Sequence, residues 1–285
     1  MIGVSERSLG TNEVVHIAQD LRRKMKNTVS VITVAYNAEK TIRKTIQSVY
    51  GQSYSEYEYI IIDGLSTDRT YDIVCEYDGD FAEKGIRYCH ISERDNGIYD
   101  AMNKALHYCR NEWIIYMNSD DTFYNGEVLS EIFSKDYAMD TSCIYGDTCN
   151  IKDGKKYFKK SYPIECLVYR GAFIHQALFV RNSVMKKYRF STDYLIAGDM
   201  DLFIRMYAAG EKFFKINICV ANYYMGGISQ NNPEQVYKEW YEIWNNAGMM
   251  KQARLKRWWR MKILAKLKQS PLLWKIYFCV NRSDQ

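Results

Sequence analysis

The chain has 285 residues, 47% hydrophobic and 26% charged, with 3 prolines and a net charge of +5. That composition excludes collagen-like and disordered chains and leaves a globular protein of one large domain or two modest ones. No apolar run reaches the ~18 residues of a membrane span, and the first residues lack the apolar core of a secretory leader, so a cytoplasmic chain that does not cross a membrane is expected. The 8 cysteines form no C-x-x-C pair and no Cys/His ligand spacing, and they read as free thiols of a reducing compartment.

In chain order, residues 1–28 are a lead-in, where Val14, Ile17, Leu21 and Met25 share one face and predict an amphipathic helix over 13–26. From Val29 the residues turn β-branched (Val31, Ile32, Thr33, Val34). A polar corner follows at Tyr36 and Asn37, then a helix with Ile42, Ile46 and Val49 inward that stops at Gly51. The alternation repeats with a strand at 59–62, a helix beginning near Ser66 to Asp68, a strand at 86–91, a helix over 97–109 and a strand at 113–117. Strands alternating with helices predict a doubly wound, mainly parallel α/β sheet across residues 29–125, whose ligands bind beyond the carboxyl ends of the strands.

Residues 126–230 have a less regular rhythm and read as an α+β half built on the same sheet. Asp153-Gly154 predicts a hairpin turn, Ala177 to Val180 a strand, and Ala197 to Ala209 a helix with Leu202, Met206 and Ala209 inward. Residues 231–285 read as a basic helical extension, helical over 234–268. Within it, Trp240, Tyr241 and Trp244 stand at helical spacing, as core residues or as a sugar-stacking platform.

Neither G-x-G-x-x-G nor a P-loop occurs, nor H-E-x-x-H, nor G-x-S-x-G, so the corresponding dehydrogenase, NTPase, zincin and hydrolase chemistries are not signalled. Acid at strand ends is what remains. Asp63, Asp95, Asp120 and Asp121 follow three different strands, and hard oxygen donors so placed suit a divalent cation bridging a diphosphate. Asp63 or Asp120 taken singly could equally cap the helix that follows; their convergence on one sheet edge favours the cation.

The ordered runs Val29 to Asn37, Ile61 to Thr70, Ser92 to Lys104 and Asn118 to Asp121 resemble the donor-binding half of family 2 glycosyltransferases, nearest the colanic acid and capsular polysaccharide branch. Ala197 to Arg205 extends the likeness. The resemblance implies a GT-A fold and an enzyme that moves a sugar from a nucleotide sugar, with a UDP-sugar as the expected donor and Mn²⁺ or Mg²⁺ as cofactor. It places Ala35, Tyr36 and Asn37 along the nucleotide pocket, Asp63 on the base imide, and Asp95 and Gly97 near ribose and diphosphate. Asn103, Lys104, Asn118 and Ser119 are also implied to bind the nucleotide sugar. Asp120 is implied as the metal ligand with Asp121 as its helper, and Asp199 as the catalytic base. His175 and Asp201 would lie near the diphosphate or acceptor.

Two positions depart from the family pattern: Asn118 replaces the first acid of the D-x-D motif, and Gly198 replaces the usual Glu before Asp199. They leave room for a non-catalytic nucleotide- or glycan-binding scaffold. One base without an opposing nucleophile implies a single displacement with inversion.

From Gly248 to Gln285 ten Lys or Arg face one acid, so that segment carries +9 and the first 247 residues −4. Leu255, Trp259, Ile263 and Leu267 recur four apart beside Trp258, which predicts an anionic membrane surface as partner for residues 251–268. A solvated helix face packed on the body is the competing reading. No nucleic-acid module accompanies the charge, so no nucleic-acid partner is expected. With the resemblance, the charge implies a lipid-linked saccharide acceptor in surface polysaccharide assembly and a peripheral place on the inner face of the cell membrane.

Overall fold

β1 (Val29–Ala35) and β2 (Tyr57–Asp63) are buried along their whole length, which a strand covered on both faces requires. The computed structural model describes residues 27–249 and Ser270. The helix expected over 13–26 and the membrane contact expected over 251–268 fall outside the described residues. β3 (Arg87–Ser92), β2, β1 and β4 (Trp113–Tyr116) pair in that order and in parallel. Beyond β4 the sheet becomes mixed. β8 (Leu178–Arg181) runs antiparallel to β4, β6 (Thr141–Lys152) antiparallel to β8, and β9 (Lys212–Tyr224) parallel to β6. The two-residue β5 (Thr122–Phe123) closes one edge against β9, and β7 (Lys155–Lys159) hangs from β6 alone. The sheet is thus parallel in the first half and α+β in the second.

Alternation along the strands divides the core. Val29, Val31, Tyr59, Ile61, Trp113 and Ile115 face α1 (Ile42–Tyr50), α2 (Thr70–Cys75), α3 (Asp78–Glu83) and α5 (Val128–Phe133). Ile32, Val34, Ile60, Ile62 and Ile114 face α4 (Ile98–Ala105), α6 (Asn182–Tyr188) and α7 (Gly198–Ala208). Ser30 and Thr33 are buried in β1 yet satisfied: Ser30 donates to the Glu58 carboxylate at 2.6 Å and Thr33 to the Met117 carbonyl at 2.7 Å.

Three expectations change. The helix expected over 97–109 ends at Ala105. Ala209, expected inward, is exposed because α7 ends one residue before it. The helix expected from 234 onward ends at Asn246 in α9 (Pro233–Asn246), which follows the short α8 (Ile228–Asn231), and its expected course over 250–268 lies outside the described residues; Gly248 takes φ +68, the left-handed conformation that glycine allows at helix ends. The Asp153-Gly154 turn is as expected, with φ +50 and +74 joining β6 to β7. The seven described cysteines are free, and no described helix is long and apolar enough to cross a membrane.

Candidate active site

Parallel register sets Ala35, Asp63 and Ser92 side by side at the carboxyl ends of β1, β2 and β3. Gly64 donates its N–H to the Ala35 carbonyl at 2.9 Å, and Asn37, at φ +49, accepts the Thr67 N–H at 2.9 Å, so the β1 and β2 loops are tied into one wall. Tyr36 stands on that wall 64% exposed. A Cβ on Gly64 would overlap the Asp95 carboxylate and lie 3.4 Å from the Tyr36 ring, so the missing side chain is what lets Asp95 reach the wall. Asp95 accepts the Gly97 N–H at 2.9 Å, and Gly97 at φ +114 opens α4.

Several of the expected ligands also brace the fold. Asp63 is wholly buried and accepts the Ser66 N–H at 3.1 Å and the Ser92 hydroxyl at 2.6 Å, together with the Ser66 hydroxyl. It holds the loop under the pocket. Asn103 uses both ends of its amide on the backbone of Phe190, at 2.9 and 3.0 Å. Lys104 donates to the Arg94 carbonyl and lies 3.4 Å from Asp100, which keeps it on the loop rather than in the pocket. Asp201 accepts from Arg205 at 2.7 Å, and Arg205 in turn holds the carbonyls of Tyr188 and Arg189.

Asp120 and Asp121 part company. Asp121 is 1% exposed; one oxygen accepts the Tyr224 N–H at 2.8 Å and the other the Gln176 amide. It thereby anchors the end of β9. Burial, and then the neighbouring Asp120, pushes the Asp121 carboxyl well up. Asn118, Ser119 and Asp120 stay half-buried at the site surface. Burial raises the Asp120 carboxyl too, and His175 pulls it partly back.

The second half of the chain meets the first at His175, in a short 3-10 turn (His175–Ala177) ahead of β8. Its Nδ1 lies 3.3 Å from the Asp199 carboxylate, at the start of α7, while its field reaches Asp120. Asp199 also accepts the Met200 N–H at 2.7 Å. Three buried polar atoms lack a partner here among the described residues: Asn118 Oδ1, His175 Nε2 and Gln176 Oε1. Unsatisfied buried groups gathered in one place call for a ligand. Gly198 is explained as well, since a Cβ there would sit 2.7 Å from the Tyr99 ring, whose hydroxyl donates to the Ile196 carbonyl at 2.6 Å. Sequence reasoning passed over Tyr99 as a site residue, and it missed Glu239, which is 3% exposed on α9 and accepts the N–H groups of Leu195, Ile196 and Ala197 at 3.0, 3.0 and 2.8 Å. Trp244 is buried and donates to the Leu167 carbonyl at 3.3 Å, as a core residue does.

The model of the Glycosyl transferase family 2 matches residues 30–209, from β1 to the end of α7. This chain belongs to glycosyl transferase family 2. As a family 2 glycosyltransferase it is similar to TuaG of Bacillus subtilis, named for teichuronic acid biosynthesis, with 27% identity over 76% of this chain and 87% of that one. A PGL/p-HBAD biosynthesis glycosyltransferase of Mycobacterium tuberculosis is 24% identical over 70% of this chain and 78% of its own. Among solved structures, Staphylococcus aureus TarS 1–349 in complex with UDP-GlcNAc superposes with a TM-score of 0.60 at 19% identity, over 76% of this chain and 65% of that one. The family 2 chain therefore spans slightly under two thirds of the TarS fragment. The Pyrobaculum calidifontis mannosyltransferase PcManGT in complex with GDP-Man and Mn²⁺ gives 0.59 at 16% identity, over 82% and 71%. At these identities the structures establish a shared GT-A fold.

Proposed function

We propose that the chain moves a sugar from a nucleotide sugar, with UDP-sugar as the expected donor, to a hydroxyl of a lipid-linked saccharide, by single displacement with inversion. The observation that carries this reading is the approach of His175 to Asp199 beside Asp120, which joins a donor-side acid to an acceptor-side base across the sheet. A non-catalytic scaffold would need no such juxtaposition. TarS and PcManGT, with UDP-GlcNAc and GDP-Man bound, support a nucleotide-sugar donor. The tail's charge and aromatic pattern support a peripheral place on the inner membrane face.

The residues present fit a divalent cation, Mn²⁺ or Mg²⁺. Asp120 offers one carboxylate and Asn118 an orphaned amide oxygen two residues away. No three His, Cys, Asp or Glu cluster into a metal cage among the described residues. A cation held by so few protein oxygens completes its shell with substrate phosphates and water, the usual habit of Mg²⁺-type sites. When bound, it would offset charge on the departing diphosphate. The protein's own part is to orient and to move one proton. Asp199, fixed by the Met200 N–H on one oxygen, faces His175 with the other and takes the proton of the attacking hydroxyl. His175 orients that carboxylate through Nδ1 and leaves Nε2 for the ligand. Tyr36 and Asp95 line the nucleotide wall. Retention would need a second carboxylate placed as nucleophile, and Asp121 is already committed.

Asp199→Asn tests the assignment, because it keeps the oxygen that caps Met200. The expected result is a loss of about 10²–10⁴ in turnover with donor KM little changed; transfer at near-normal rate would remove Asp199 from the role.

A further inference from the structure

The β6–β7 hairpin carries Lys152, Lys155, Lys156, Lys159 and Lys160 within nine residues, against the single acid Asp153. None of these lysines is paired with an acid among the described residues. Every residue of β7 is exposed, Tyr157 by 53% and Phe158 by 68%. Tyr157 stands opposite Asn150 and Phe158 opposite Cys149, so the two rings project from opposite faces of the ribbon.

Lysines on an edge strand keep it from pairing with other chains, which accounts for the charge. It does not account for Tyr157, or for Phe158, whose ring meets that of Tyr124 edge-on at 5.8 Å yet stays 68% exposed. A lipid surface offers headgroup phosphates to the lysines and an apolar layer to the rings in one partner, whereas a soluble anion offers only the first. The hairpin also lies close to the site. Ile151 pairs with Tyr224 and accepts the Met225 N–H at 2.8 Å, and the Tyr224 N–H is held by Asp121.

We propose that the β6–β7 hairpin docks on an anionic lipid surface, with its lysines on headgroup phosphates and Tyr157 and Phe158 in the interfacial layer. The contact is separate from any made by residues 251–268 and independent of sugar transfer, so a failure here leaves the transfer reading intact. Hydrogen exchange of the full chain gives a local readout. Peptides covering 152–160 should exchange severalfold more slowly with vesicles of phosphatidylcholine and phosphatidylglycerol, and at the unliganded rate with phosphatidylcholine alone. Lys155→Glu with Lys156→Glu, and separately Tyr157→Ser with Phe158→Ser, should abolish that slowing. The charge reversal should also cut partition onto anionic vesicles by at least about tenfold. All four positions are exposed, so circular dichroism melting should be nearly unchanged. Unaltered exchange in 152–160 would overturn the proposal even if the chain sediments with vesicles. So would protection that survives both double substitutions, or protection by a soluble anionic polysaccharide but not by vesicles.

Discussion

At Asp120 the fold holds a carboxyl above its ordinary range by burial, partly relieved by His175. The native state therefore keeps a proton that the unfolded chain releases earlier, and this acid removes stability as pH rises through the unfolded and then the native value. Asp120→Asn should raise the melting temperature at pH 7 and flatten its fall as pH rises above the ordinary carboxylate range. The same change should weaken UDP binding in Mn²⁺ by about tenfold or more, since the cation loses its one charged protein ligand; scanning fluorimetry across pH and titration calorimetry check both. The sequence made Asp120 visible through its place after a run of β-forming residues, but gave no hint that Asp121 beside it is tied to the end of β9. That depends on the Tyr224 amide and on Gln176, 103 and 55 residues distant, which no local pattern encodes. Gly198 is similar. Its lack of a side chain looked like a lost acceptor contact and is instead room for the Tyr99 ring. Gly198→Glu should not restore a family-like site; displacing that ring should cost about 1–3 kcal/mol in denaturant unfolding and lower turnover.

Among the elements, α9 binds the site into one body. Its Glu239 carboxylate accepts three consecutive N–H groups ahead of α7 and the Gln235 amide at 2.8 Å, fixing the turn from which Asp199 projects. Burial alone would raise this carboxyl, but the hydrogen bonds from Gln235 and from residues 195–197 outweigh it and leave it below the usual range. Its stabilisation is therefore complete above the unfolded carboxyl range and fades as pH falls through the lowered native value. Glu239→Ala should destabilise by about 1–3 kcal/mol, because three backbone donors, that of Ala197 buried, lose their acceptor, and should reduce turnover through the displaced α7 start. Equilibrium unfolding with parallel kinetics measures both, and an unchanged rate in the folded variant would detach α9 from the site. The helix was legible from its periodicity. Its end was not taken from Gly248, although an Ala-Gly pair after a polar turn offered that signal, and the role of Glu239 was hidden because its partners are backbone amides more than 40 residues away.

Across the whole molecule, the parallel half could be read from the sequence because β1, β2 and β4 are fully buried and the helices between the strands have regular apolar faces, so local pattern and tertiary burial agree. The second half was legible only as α+β. β6 bends through register shifts to pair with β9, and β8 reverses against β4, arrangements set by long-range pairing and not by periodicity. That reversal places His175 between the donor side and Asp199 and makes the two halves one site. The account rests on that site accepting a nucleotide sugar and cleaving it. The most direct measurement is nucleotide release from a panel of nucleotide sugars incubated with the full chain and Mn²⁺. The account expects slow, metal-dependent release from one donor, with UDP as the expected nucleotide, and its loss in Asp120→Asn. Release from none of them, together with nucleotide binding of equal strength with and without Mn²⁺, would contradict it.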